Sequence, residues 1–173
     1  MEKSIKSFII HPCVVLQLLT LSCCLNPSIE KKIPAFTAET IEGANFNSEE
    51  IKFNQYTLLM FFDPLCEQCQ EEIEQLLSVL SQTDKIQLYC LTLASYDLVL
   101  PFNDNLVKKA INNTTILLLK EPSLYIYYGI SSPPACFLYS KDKFISGSYG
   151  KNDFEKVLIS IQSVINANSM NSY

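Results

Sequence analysis

The sequence contains no arginine: all 13 basic residues are lysines, set against 18 acidic residues for a net charge of −5. An acidic chain lacks the basic excess that a polyanion binder uses, so nucleic acid is not expected as a partner. Without a guanidinium fork, mechanisms that clamp a carboxylate or phosphate in a planar, bidentate way are excluded as well. Histidine is nearly absent too. The single one, His11, lies in a leading segment that reads as removable, so the mature chain is expected to hold no imidazole. That excludes Ser-His-Asp and Cys-His catalysis and histidine-ligated metals. Charged residues make up only 18% of the chain and hydrophobic ones 48%, which rules out a disordered or fibrous protein. The 173 residues suggest one domain able to bury a core without disulfide support. Few common chemistries remain, and the seven cysteines point to one of them.

Residues 1–23 read as a targeting signal. Lys3 and Lys6 make a basic start, and an apolar stretch over 8–21 follows, interrupted by His11, Pro12 and Gln17. It is too short and broken to span a bilayer, which takes about 20 apolar residues, but has the proportions of a secretory signal. It closes on Leu21-Ser22-Cys23-Cys24, which resembles a bacterial lipobox, with Cys24 (or Cys23) as the lipidated first residue of the mature chain. Residues 24–32 then form a tether, residues 33–165 the domain, and residues 166–173 a polar tail. The expected location is the periplasmic side of a bacterial membrane, held by a lipid anchor, where disulfides can persist. Plain secretion and an uncleaved anchor are the alternatives.

Within the domain, Phe36 to Phe46 with Gly43 between them suggests a short hairpin, and Ser48 to Ile51 a single helical turn. The continuous apolar run 56–62 (YTLLMFF) is expected of a strand covered on both faces. A helix follows over 66–81, with Cys69, Ile73, Leu76, Leu77 and Leu80 as its inner stripe and Gln70, Glu71, Glu74, Gln75 and Ser78 on its wet face. A second central strand covers 86–94, a helix 104–112, a strand 115–119, a short helix 123–128, and two strands 135–139 and 144–149. A last helix is capped by Asn152, with Phe154, Val157, Leu158, Ile161 and Ile165 as its stripe. This order predicts an α/β architecture, a central sheet of mixed direction with helices on both faces.

Cys66-Glu67-Gln68-Cys69 is a C-x-x-C that follows a buried strand and opens a helix. The context makes the motif specific. Free amide N–H groups and the dipole at a helix start favour a thiolate, the species that attacks a disulfide. The second cysteine, three residues on, can close a ring and expel the substrate. Cys66 is therefore expected to be the nucleophile and Cys69 the resolving thiol, alternating between dithiol and disulfide. A zinc site would need Cys90, Cys136 or carboxylates as further ligands, and both of those cysteines fall in apolar runs. A purely structural bridge would gain little from so short a loop. No metal or cofactor is expected.

These residues resemble the thioredoxin-like fold and, within it, the redoxin or TlpA/ResA-like thiol-disulfide oxidoreductases. Ile33 to Phe36 with Gly43 and Phe46 is similar to that family's entry hairpin. Residues 61–72 (FFDPLCEQCQEE) are similar to its active-site block, and residues 129–138 (GISSPPACFL) to its proline segment. The resemblance implies a thioredoxin-like three-layer sandwich over 33–165. It implies a cis peptide bond at Pro133–Pro134, with both prolines at the substrate-binding edge, and a proton-relaying carboxylate at Glu72, odd in sequence terms because it falls on the inner edge of an apolar stripe. Protein thiols and disulfides are the implied substrates, with a membrane or periplasmic redox partner. Leu65 stands where the family has tryptophan, Pro133 where it has a small or β-branched residue, and Ser140 where an aspartate often follows the strand. These departures bear on substrate choice and redox poise. Cys90 and Cys136 read as small buried residues, Cys136 being close enough to Pro134 to face the site, and Tyr125 to Tyr128 as core and rim packing. Two other functions were weighed against this one. A peroxiredoxin needs Pro-x-x-x-Thr-x-x-Cys and an arginine, whereas Leu59 and Asp63 hold the proline and threonine positions. A non-catalytic binding or assembly module would not need the intact cysteine pair.

Overall fold

A computed structural model describes residues 32–51, 56–108, 113–141 and 143–169. The expected signal segment, Cys23, Cys24 and residues 25–31 of the tether lie outside the described residues.

Seven strands form one sheet in the order β2-β1-β5-β4-β3-β6-β7. They are β1 (Thr37–Thr40), β2 (Asn45–Asn47), β3 (Tyr56–Phe61), β4 (Ile86–Thr92), β5 (Thr114–Leu119), β6 (Ala135–Ser140) and β7 (Lys143–Tyr149). The centre is parallel, with β4 between β3 and β5. The hairpin β1–β2 and the pair β6–β7 close the two sides in antiparallel fashion. The expected mixed sheet is thus present. Apart from its half-buried first residue, β3 is buried throughout, as its unbroken apolar run requires when both faces are covered.

Four helices are described: α1 (Glu67–Leu80), α2 (Tyr96–Lys108), α3 (Ser123–Tyr128) and α4 (Lys151–Ser169). One face of the sheet carries α1, α2 and α4. Ile73, Leu76 and Leu80 of α1, Val99 of α2 and Phe154, Val157 and Ile161 of α4 share a core there with Leu58, Met60 and Leu138 of the sheet. The other face is covered by α3 and the entry hairpin, where Leu124 and Tyr128 join Phe61, Phe137 and Phe46. Alternation along the strands feeds the two cores: Leu58 and Met60 turn one way, Leu59 and Phe61 the other.

The expected single turn is present as a 3-10 turn over Ser48–Glu50, capped by Asn47, whose side chain accepts from the Glu49 amide at 3.0 Å. Ser48 is buried and accepts from the Phe36 amide at 3.1 Å. The structure departs from expectation at two helix starts. Helix α2 begins at Tyr96 rather than at residue 104 and contains Pro101; residues 109–112, the end of the expected helix, lie outside the described ones. A proline inside a helix costs a backbone hydrogen bond. Here packing outweighs that cost: Val99 is fully buried, and the Phe102 ring lies 4.9 Å from that of Phe62. Second, α4 starts at Lys151, so Asn152 is inside its first turn and not its cap. Gly150, at φ 73°, breaks the strand one residue earlier and donates its amide to the Pro134 carbonyl at 2.8 Å. The helix runs past Ile165 as far as Ser169.

One glycine matters for packing. A Cβ on Gly147 of β7 would come within 2.6 Å of the Phe137 ring, which is fully buried. Gly147→Ala is expected to destabilise the fold by about 1–3 kcal/mol, the usual range for overpacking a tight site. Urea unfolding should show a lower midpoint with an unchanged slope.

Candidate active site: a capped cysteine over a buried one

The loop between β3 and α1 is shaped by Asp63. Its carboxylate accepts the Leu65 amide at 2.8 Å and its carbonyl accepts the Cys66 amide at 3.1 Å, a turn typical of an aspartate just before a helix. Gln70 reaches back from α1 to donate to the Pro64 carbonyl at 2.7 Å. The chain therefore leaves the buried strand, turns once and enters α1 with Cys66 as its N-cap.

At that cap the Cys66 sulfur accepts the backbone amide of Cys69 at 3.2 Å. A sulfur thus takes the place of the oxygen that usually satisfies a helix-start amide. The two cysteines are not bonded to each other in this structure. They differ in exposure: Cys66 is half-buried and Cys69 is sealed. Burial, foremost, and then the neighbouring Cys66 and Glu72 push the Cys69 thiol up to about 12, against the downward pull of a backbone hydrogen bond from Asp63. A thiol so placed is a poor nucleophile until something removes its proton.

Glu72 lies where the helix period puts it, one turn beyond Cys69, and only 3% of it is exposed. Its Oε1 accepts from the Gln68 side-chain amide at 3.0 Å. Its charge bears on two sulfurs, raising both Cys69 and Cys136. Cys136 is pushed well up by burial first, then by Glu72 and Cys90, while Cys90 is pushed up to about 12 by burial alone. Cys90 and Cys136 flank Met60 on the neighbouring strands and are fully buried, as expected for small core residues.

The proline segment arrives at the same end of the sheet. The Pro133–Pro134 bond is cis. Ala135 pairs with Phe61, so continuing that register brings Pro134 level with Phe62 and Pro133 with Asp63. Pro134 is buried and Pro133 half-buried. The register thus places the Cys66 loop and the Pro133–Pro134 segment at one end of the sheet, with Cys69 and Glu72 following in the first two turns of α1. Leu65, next to Cys66, is 73% exposed, an apolar side chain at the rim.

Two residues of this end of the sheet were not anticipated as site residues. Asp63 is one, and its signal was available as the Asp-Pro pair just ahead of a helix. Tyr125 is the other. Its ring stands edge-on to Phe61 at 5.2 Å. Its hydroxyl is raised by burial and then by Cys69 and Asp63, which puts it within electrostatic reach of the buried cysteine.

No protein-family model matches the chain, and no curated protein does. Solved structures do. A secreted disulfide oxidoreductase of Mycobacterium tuberculosis, described as homologous to E. coli DsbE, superposes with a TM-score of 0.60 at 20% identity, over 74% of this chain and 95% of that one. The chain has the thioredoxin-like fold. A putative protein disulfide isomerase of Bacteroides thetaiotaomicron gives 0.62 at 14% identity, over 80% and 90%. The mitochondrial 2-Cys peroxiredoxin of Plasmodium falciparum gives 0.59 at 17%, over 84% and 98%. These likenesses show the fold alone, and function has to be argued from the site.

Alkylation tests the asymmetry of the pair. Iodoacetamide at neutral pH should modify Cys66 of the reduced protein at least about tenfold faster than Cys69, because only a thiolate reacts. Below about 12, the rate at Cys69 should climb with pH, as its thiolate fraction rises about tenfold per pH unit. Mass spectrometry of peptides would read both. Faster labelling of Cys69 would reverse the roles.

Proposed function

We propose that the protein is an extracytoplasmic thiol-disulfide oxidoreductase that exchanges disulfides with protein substrates through Cys66 and Cys69. The observation that carries this reading is the helix cap itself: a half-buried sulfur accepting the amide of a sealed cysteine. The Cys66 thiolate attacks a substrate disulfide. One substrate sulfur leaves as a thiolate and the other is held in a mixed disulfide. Cys69 then gives its proton to the Glu72 carboxylate and attacks the Cys66 sulfur. The Cys66–Cys69 disulfide forms, the second substrate thiolate leaves, and two electrons have passed from the protein to the substrate. The same steps in reverse oxidise a substrate dithiol.

The substrate strand is proposed to lie along Pro133 and Pro134. Pro133 has no N–H and can offer only its carbonyl, enough to anchor one substrate amide in the manner of strand addition. The peroxidase reading draws no support from the site, since Leu59 and Asp63 stand where that chemistry needs proline and threonine, and the sequence has no arginine. An insulin reduction assay driven by dithiothreitol tests the function. Cys66→Ser should fall to background, and Cys69→Ser should accumulate a mixed disulfide visible on a non-reducing gel. Wild-type protein at background would refute it.

Location belongs to the same proposal. Among the described residues no helix is long and apolar enough to cross a membrane. Support for export comes from Lys3, Lys6, the apolar stretch over 8–21 and the Leu21-Ser22-Cys23-Cys24 sequence. Lipidation at Cys24 or Cys23 would tether the domain on the residues that follow. Metabolic palmitate labelling should mark the wild type and not the Cys23→Ala/Cys24→Ala double variant; equal labelling would remove the anchor.

A further inference from the structure

We infer that Gln68, inside the C-x-x-C dipeptide, is a positioning residue that holds the buried Glu72 carboxylate in its charged, proton-accepting form. The inference rests on the exchange mechanism for its purpose, but not for its test.

Gln68 and Glu72 stand four residues apart on α1, so their side chains share one face. The amide Nε2 donates to Oε1 at 3.0 Å, and the bond is partly buried. Several described features of the surroundings oppose a charge on Glu72. It is 3% exposed. The sulfurs of Cys69 on its own helix and of Cys136 on β6 lie within its electrostatic reach, with Cys90 of β4 beyond Cys136. A cleft of ≈ 350 Å³ between α1 and α4 opens onto it, with Phe154 and Leu158 of α4 as apolar lining. The other titratable side chains of that cleft are Glu71 of α1 and Glu155 of α4, both of the same sign as an ionised Glu72. Burial and like charges favour the neutral acid, and a hydrogen bond donated to the carboxylate favours the anion. The Gln68 amide is thus a contact that tips Glu72 toward the state able to take a proton from Cys69. The same cleft gives that proton a way out to solvent without passing Cys66.

The sign can be tested in both directions. Removing the donor while keeping the bulk, as in Gln68→Leu, should raise the Glu72 titration midpoint by about one pH unit. Replacing it with a cation, as in Gln68→Lys, should lower it. A purely structural role would move both variants the same way or neither. The readout is ¹³C NMR of carboxyl-labelled glutamate in the reduced, full-length chain, with the Glu72 signal assigned by its loss in Glu72→Gln. A rise with leucine and a fall with lysine support the inference. Unchanged midpoints, or shifts of one sign, overturn it. If the leucine variant does not fold, Gln68→Ala takes its place: a raised midpoint supports the inference, and an unchanged or lowered one overturns it. Because the measurement needs no substrate, wild-type protein inactive toward insulin would refute the proposed function while leaving the Gln68 result standing or falling by itself.

Discussion

The sulfur–amide contact at the start of α1 sets the terms for the rest of the site. A helix start leaves amides that need an acceptor, and here the acceptor is the Cys66 sulfur, 3.2 Å from the Cys69 amide. The reactive group is therefore part of the backbone hydrogen bonding. Moving it would leave a helix-start donor unpaired, so its position is fixed as firmly as the helix. The three-residue spacing then decides where the second cysteine goes. From an N-cap at the surface, the third residue on turns into the inner stripe, with Ile73 and Leu76 following it into the core. One thiol outside and one inside follow from a single cap.

The sheet makes this arrangement useful by what it brings alongside. β3 is the strand from which the cysteine loop emerges, and it lies between parallel β4 and antiparallel β6. Because β6 runs the other way, its beginning rather than its end lies beside the cysteine loop, and the residues just before it are Pro133 and Pro134. The Gly150 amide, bonded to the Pro134 carbonyl, ties the start of α4 to the same point. Three segments far apart in the chain thus meet through strand direction alone. Tyr125 arrives from the opposite layer through its ring contact with Phe61, two residues ahead of Asp63.

Much of this was legible in the sequence because the signals were local. The unbroken apolar run of β3, the stripe of α1 and the C-x-x-C at their junction each depend on periods of a few residues. Glu72 could be singled out for the same reason: a charged residue in a stripe of Ile73, Leu76 and Leu80 breaks a short pattern. What was missed depended on tertiary contact. The first two turns of α2, around Pro101, are held by Val99 and Phe102 packed in the core. The cap expected at Asn152 lies inside α4, which starts at Lys151 after Gly150. Tyr125 could not be separated from its neighbours, because an aromatic run gives no sign of which ring packs on Phe61.

The absence of arginine, and of any histidine among the described residues, sharpens the proton problem at Cys69. Pushed up to about 12, that thiol needs a base close by, and the sequence supplies carboxylates for the purpose. An exposed carboxylate would be a weak base at neutral pH, whereas a buried one is a stronger base but is inclined to stay protonated and idle. Glu72 needs both properties, proton affinity from burial and charge from a donor. On the reading proposed above, Gln68 and the α1–α4 cleft would meet that need: the amide donates to the carboxylate at 3.0 Å and the cleft opens onto it. On this view the dipeptide between the cysteines acts through more than the geometry of the ring it closes. Its second residue would tune the base that serves the resolving thiol, which couples the identity of the C-x-x-C spacer to proton transfer as well as to sulfur chemistry.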